Sequence, residues 1–310
     1  MERMCFAAGA AVVAVLAHAV PARAQAIETA VDATVDLALG ETADRMTVPV
    51  EIAGAGPYRF IIDTGAQRSV ISRQLAARLG LPTGRRVRLT AMSGTSEVDT
   101  VLVPSLSVTP PARSIGGQRI EAPALDARHI GASGLLGIDT LQDHAVVIDF
   151  DRRTMSVAAS RKRPPRRSTP DEIVIQARSL YGQLVVTSAT VNGRRVRVVL
   201  DTGTAVSMGN AALRRLLSTR SGGQQAVMTS VTGGQVVADY AVVRGMKLGS
   251  ATISDLPVAF ADVAPFARWG LEKRPAILLG MDALKLFRRV DIDFANRELR
   301  LQLPRDARLG

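Results

Sequence analysis

Two aspartates stand in the same tripeptide. Asp63-Thr64-Gly65 follows the apolar run Phe60-Ile61-Ile62, and Asp201-Thr202-Gly203 follows Val198-Val199-Leu200. A short apolar run of this kind reads as a buried strand, so the aspartate at its end is partly taken out of water. The threonine hydroxyl can bond neighbouring backbone. The glycine lets the chain turn and lets a second backbone approach closely. A single copy reads equally as an ordinary turn after a strand. Two copies open another chemistry. If the strand ends met, two carboxylates would share one site and could not both ionise cheaply, so one proton would be held between them. One carboxylate could then act as base on a water while its protonated partner donates to a carbonyl oxygen. Such a pair hydrolyses an amide without a metal or a covalent intermediate.

The elements around the two tripeptides also come twice. Arg59 to Gly65 is matched 138 residues later by Arg197 to Gly203. Upstream, Val50-Glu-Ile-Ala-Gly54 corresponds to Ser188-Ala-Thr-Val-Asn192, each a strand ending in a turn. Downstream, Ser69 matches Ser207. Ser72 and Asn210 then match as helix N-caps, followed by Leu75 and Leu79 or Leu213 and Leu217 on one helical face, with Gly80 as a stop for the first helix. Residues 90–98 and 229–237 both read as hairpins with a glycine at the tip. Leu135-Leu136-Gly137-Ile138-Asp139 matches Leu278-Leu279-Gly280-Met281-Asp282, with each aspartate expected to cap the next helix. Each copy closes on Ile-Asp-Phe (148–150, 292–294), a polar turn and a final strand. Two similar β-rich halves, 27–160 and 171–310, are therefore expected to pack about a pseudo-twofold axis, joined by a linker over 161–170.

At these residues the chain resembles the aspartic proteases, and among them the bacterial retropepsin-like enzymes. The marks are apolar-apolar-Asp-Thr-Gly at 61–65 and 199–203, Ser69 and Ser207, and the apolar-apolar-Gly segments ending at Gly137 and Gly280. The resemblance covers nearly all of the chain after residue 26. It implies an all-β fold with a few short helices, built as two closed, barrel-like halves with a substrate cleft between them. It implies Asp63 and Asp201 as the catalytic dyad, supported by Gly65 and Gly203, with Thr64 and Thr202 interlocked beneath. It makes the hairpins flaps over bound substrate, with Met92, Ser93, Gly94 and Thr95 in the first and Thr232, Gly233 and Gly234 in the second. The layout departs from both familiar ones. Retroviral enzymes carry one copy per chain and dimerise. Pepsin-like enzymes carry one flap, with a tyrosine. Here both copies are fused, both hairpins have glycine and neither tip has tyrosine. A monomer is expected to suffice.

Composition bounds the alternatives. The chain has 310 residues and 47% hydrophobic content, enough for one large core or two ordinary ones, which excludes a disordered or fibrous chain. The lone cysteine, Cys5, excludes a disulfide framework, a thiolate zinc site and a cysteine nucleophile outside the first residues. No metal or other cofactor is expected. Residues 1–26 read as a cleaved export signal: Arg3, an apolar run from Cys5 to Val20, then Ala22-x-Ala24-x-Ala26. The expected location is periplasmic or secreted.

The net charge is +11. Residues 161–167 (Arg-Lys-Arg-Pro-Pro-Arg-Arg) carry five positive charges and read as a stiff, solvated linker with weak contact to an anionic envelope surface. Nucleic acid is not an expected partner, because export and the lack of interleaved aromatics argue against it. Asp149/Asp151 and Asp291/Asp293 are expected on exposed strand faces rather than at a cation. His129 and His144 are expected at the surface or in loops. Trp269, in an insertion over 262–274, either lines a subsite or packs against the surface. The expected activity is endopeptidase cleavage of extended polypeptide. The alternative is a catalytically weak or inactive peptide-binding or envelope-regulatory module on the same fold.

Overall fold

The computed structural model describes residues 5–7, 47–108, 118–164, 166–217 and 225–305. The expected export signal lies outside the described residues except for Cys5–Ala7, a short strand running parallel to Gln225–Thr229. Among the described residues, no helix is long and apolar enough to cross a membrane.

The fold is mainly β. In Thr47–Ile52 the alternating pattern turns Val48, Val50 and Ile52 into the core. The strands beside the two aspartates have no polar face. Gly134–Leu136 and Ala276–Leu279 are buried throughout and pair in parallel with the strands feeding Asp63 and Asp201, as strands covered on both faces must. In the first half, seven strands form one sheet. Gly94–Val108 pairs with Thr47–Ile52, so this sheet returns on itself as a ring. The second half repeats the plan. Arg197–Leu200 lies beside Ala276–Leu279, then Met208–Gly209, Ala251–Phe260 and Gln235–Leu248, and Thr190–Val191 brings the sheet round. Here the ring is interrupted at Val196, between the strands Arg194–Arg195 and Arg197–Leu200.

The closing strands of both halves merge into one five-stranded sheet, ordered Thr154–Ala159, His144–Asp149, Arg289–Asp293, Glu298–Gln302, Glu172–Gln176. The central pairing, Val290 opposite Ile148, joins first half to second. One apolar core runs from the first ring through this sheet into the second half. The short helices start where expected: Ser72 Oγ accepts from Leu75 N at 3.1 Å, and Asn210 Oδ1 from Leu213 N at 2.9 Å. Gly80 follows the first helix with φ +59.

Three expectations need correction. The linker is exposed along its described length, yet it is not free. Arg163 pairs with Asp293 at 3.1 Å and Glu298 at 3.5 Å, and the Arg166 carbonyl accepts from Arg300 at 2.8 Å. Buried carboxylates of the shared sheet give its arginines fixed partners, which a count of like charges cannot reveal. For the same reason Asp293 is not on an exposed face. It is buried and accepts from Ser160, Arg163 and Asn296. His129 and His144 are not loop residues: both are half-buried, one in the helix Ala127–Ile130 and one in the strand His144–Asp149.

Arg300 is the central cation of this sheet. It is 3% exposed and bonds Glu298 at 2.6 Å and Glu172 at 2.7 Å. Arg300→Ala leaves two sequestered carboxylates short of a counter-charge and is expected to cost about 3 kcal/mol. Chemical denaturation checks this; a loss below about 1 kcal/mol would contradict it.

Candidate active site

Asp63 and Asp201 end equivalent strands, and each is held by its parallel neighbour. Asp63 N donates to Leu136 O at 2.9 Å and Asp201 N to Leu279 O at 3.0 Å. Beneath them Thr64 and Thr202 exchange bonds across the two halves. Thr64 Oγ1 donates to Leu200 O at 2.8 Å and accepts from Thr202 N at 3.1 Å. Thr202 Oγ1 donates to Ile62 O at 2.7 Å and accepts from Thr64 N at 3.2 Å. All of these groups are buried.

The strand ends are thereby brought face to face. A Cβ on Gly65 would lie 2.7 Å from the Asp201 carboxyl carbon, and one on Gly203 would lie 2.3 Å from that of Asp63. Each glycine is required by the carboxyl of the opposite half. The backbone also turns amides inward. Asp63 Oδ1 accepts from Gly65 N at 3.0 Å and Ala66 N at 2.9 Å, and Asp201 Oδ1 accepts from Gly203 N at 3.0 Å. The two carboxyls are thus close enough to act on each other. Burial first, and the Asp63 carboxylate second, hold the Asp201 carboxyl well above the usual carboxylate range. That is the signature of a pair sharing one proton.

A second tier steadies each loop. Ser69 Oγ donates to Asp139 Oδ1 at 2.7 Å and accepts from Gly137 N at 3.0 Å. Ser207 Oγ does the same with Asp282 Oδ1 at 2.7 Å and Gly280 N at 3.0 Å. Both aspartates also accept from the serine main-chain N–H. This corrects the capping expectation. Gly137 and Gly280 occupy the N-cap positions, and Asp139 and Asp282 sit one residue inside the helix, where they clamp the loop after each Asp-Thr-Gly. Burial pushes Asp282 up to about 6. The recurrence of Ser and Asp at matched offsets carried the signal, but only the fold brings each Ser to its Asp.

Above the dyad lies a cleft of about 630 Å³, lined by residues of both halves. Both hairpins reach it. In the first, Met92 and Ser93 form the tip between the strands Thr83–Ala91 and Gly94–Val108, and Met92 and Thr95 line the cleft. Gly94, at φ +128, opens the returning strand and is not among the lining residues. In the second hairpin, Ser230 and Val231 line the cleft, rather than Thr232, Gly233 and Gly234. Those three instead meet the first half. Thr232 Oγ1 lies 3.4 Å from Ser93 Oγ, Gly233 faces the His129 ring and Gly234 faces Ser93.

Each tip is seated on the opposite half. Val231 packs against first-half residues around Ile130 and Leu135. Met92 packs against the second-half cluster containing Phe266 and Trp269, and its carbonyl accepts from Ala264 N at 3.3 Å. Trp269 resolves its two alternatives at once: it is buried and it lines the cleft. One further residue was not singled out by sequence. Buried Gln183 donates to Gly65 O at 3.3 Å from a second-half hairpin; no spacing marks it.

Thr64→Val keeps the shape but leaves Leu200 O and Thr202 N without partners. It is expected to cost about 3 kcal/mol, whereas Thr64→Ser, which keeps both bonds, costs about 1 kcal/mol. Urea midpoints of the two variants decide. Equal losses would mean that the hydroxyl matters no more than the methyl.

In comparison with known proteins, the pattern of the aspartyl protease family matches this chain twice, over residues 48–140 and 187–283. Among solved structures the chain is similar to a retropepsin-like aspartic protease from Rickettsia conorii. That match has 19% identity and a TM-score of 0.30, and covers 43% of this chain and 90% of that one. The two family matches take in more than half of the chain, and each contains one Asp-Thr-Gly. The chain belongs to the aspartyl protease family.

Proposed function

We propose that this protein is an exported, single-chain aspartic endopeptidase that cuts extended polypeptide segments. The observation that carries the reading is the pair of carboxyls, brought face to face by the two Asp-Thr-Gly ends and lining a cleft between two halves. In the free enzyme Asp201 holds the shared proton, since burial and Asp63 both favour its protonated form. Asp63, with two amides on one oxygen, is the base.

Substrate lies between the dyad and the hairpins, held as a strand by main-chain hydrogen bonds. Asp63 takes a proton from water as the water oxygen bonds to the scissile carbonyl carbon. Asp201 gives its proton to the carbonyl oxygen. A neutral tetrahedral diol results. On collapse, the proton on Asp63 passes to the leaving nitrogen, one diol hydroxyl returns its proton to Asp201, and the C–N bond breaks. The starting protonation state is restored. The hairpins exclude bulk water during these transfers.

Because one chain supplies both carboxyls, a monomer suffices. Export rests on the charged start, apolar run and small-x-small sites of residues 1–26. The exposed arginines of the linker offer weak contact with an anionic envelope surface.

Asp63→Asn and Asp201→Asn are each expected to lower cleavage of an unfolded protein substrate at least about a thousandfold, with the fold retained. Fragments are read by mass spectrometry from acidic to neutral pH, with protein starting near Ile27. Cleavage by either variant at the wild-type rate would sink the assignment. No cleavage by the wild type at any pH would favour a binding module on the same fold.

The shared proton has a second consequence. Asp201 is held above its ordinary value in the folded chain. The stability linked to it is therefore fully present below about pH 4 and is lost as pH rises through the folded value. Asp201→Asn removes this loss. The melting temperature of the variant minus that of the wild type should rise from about pH 3.5 to neutral. A flat difference would mean that no proton is shared.

A further inference from the structure

The cleft carries a charge pattern that hydrolysis itself does not require. Arg68, Arg88 and Arg268 line it, and the only acids among the lining residues are Asp63 and Asp201. A pair that shares one proton contributes about one negative charge. Three guanidinium groups on the walls outweigh it. Arg68 and Arg88 come from the first half and Arg268 from the insertion in the second, so positive charge flanks the dyad from both sides.

Two of these charges are not cancelled by an ion pair. Arg88 and Arg268 are exposed, and among the described residues neither makes an ion pair. Arg268 lies over the Tyr181 ring, 6.0 Å from its centre, a contact that leaves the charge intact. Glu97 stands opposite Arg88 in the hairpin register but does not line the cleft. Arg68 donates to the main-chain oxygen of Glu121. The Glu121 carboxylate, engaged by Arg85 at 3.1 Å and by Thr100 Oγ1 at 2.6 Å, also feels the Arg68 charge, so Arg68 is partly offset and the uncompensated charge at the rim is that of Arg88 and Arg268.

Guanidinium groups present paired N–H donors that match a carboxylate. A cleft lined by one sign of charge also focuses the field on an approaching ligand, and the whole chain adds a net charge of +11. Resting on the endopeptidase reading, we propose that the cleft selects polypeptide segments carrying Asp or Glu side chains within a few residues of the bond held at the dyad. Arg88 and Arg268 are the specificity-determining residues at its rim.

The test separates selection from cleavage. Matched peptides with one apolar core flanked by Glu, Gln or Lys are titrated by fluorescence anisotropy against the full-length Asp63→Asn variant, which binds without turnover. The Glu peptide is expected to bind roughly tenfold more tightly than the Lys peptide near 0.05 M salt, with the gap narrowing near 0.5 M. Adding Arg88→Glu and Arg268→Glu is expected to reverse the order. Both side chains are exposed, and a melting curve confirms the fold of the variant. Equal affinities for the three peptides, or an order unchanged by the reversals, overturn the proposal whether or not the wild type cleaves anything. Failure of the wild type to cut, with the charge preference intact, removes the endopeptidase reading and leaves an acidic-peptide cleft.

Discussion

The four hydrogen bonds that Thr64 and Thr202 make across the fold, two to each other and two to Leu200 O and Ile62 O, hold the two halves in the one arrangement that makes a site. Each hydroxyl donates to a strand-end carbonyl of the other half and accepts the other threonine's N–H. A hydroxyl is the smallest side-chain group that can do both. The donors and acceptors are buried, so no water competes, and an unmade bond would leave an orphaned backbone group. Because the exchange is reciprocal, the strand ends cannot slide past one another without breaking it. The carboxyls one residue earlier inherit that alignment, and the glycines one residue later must be small enough to pass the opposing carboxyl. The shared five-stranded sheet closes the other end of the molecule. The two halves are thus fastened by backbone pairing at one end and by threonine hydroxyls under the dyad.

Much of this is legible in the residues, because duplication writes each constraint twice. Asp-Thr-Gly, Ser69 with Ser207, and the apolar-apolar-Gly runs recur at matched offsets, and each recurs because the same loop must be built in each half. What stays hidden is pairing across the fold. Asp139 and Asp282 look like helix caps since they stand beside a helix start, and Asp is a good cap. The glycines before them take the cap position, and the carboxyls turn back to serines about 70 residues earlier in the chain. Local propensity and tertiary demand point the same residue type to different partners. The linker is half legible. Its described residues are exposed, as five like charges predict, but the charges do not reveal that Asp293, Glu298 and Glu172 on the shared sheet give Arg163 and Arg166 partners. Gln183 has no signal at all, since the residue 138 positions earlier is Arg45 rather than a second glutamine.

The two halves are not equivalent in what they add to the cleft. The first contributes Arg68 and Arg88 beside its hairpin. The second contributes the insertion, whose helix Ala264–Arg268 carries Pro265 and Arg268 to the lining with Trp269 directly after it. Apolar surface and cationic surface are therefore interleaved around a nearly symmetric dyad. Symmetry fits the proposed chemistry, which needs two like carboxyls in unlike protonation states. Asymmetry fits the proposed recognition, since a peptide has a direction that an asymmetric cleft can favour.

The strengths of the contacts also decide where the molecule can open. Under the dyad the bonds are buried and run from 2.7 to 3.2 Å. Over the cleft the tips meet through an exposed hydroxyl pair at 3.4 Å, the first tip takes one main-chain bond at 3.3 Å from Ala264 of the insertion, and Met92 and Val231 each rest on the facing half. An exposed hydrogen bond is readily replaced by water, and a single seated side chain contributes far less than a buried network. Opening by hairpin displacement therefore breaks only the weak set, while opening by separation of the halves would break the strong one. Opening at the tips leaves the dyad geometry untouched. The proposed proton transfers at fixed distances call for flexibility in that place and not under the dyad.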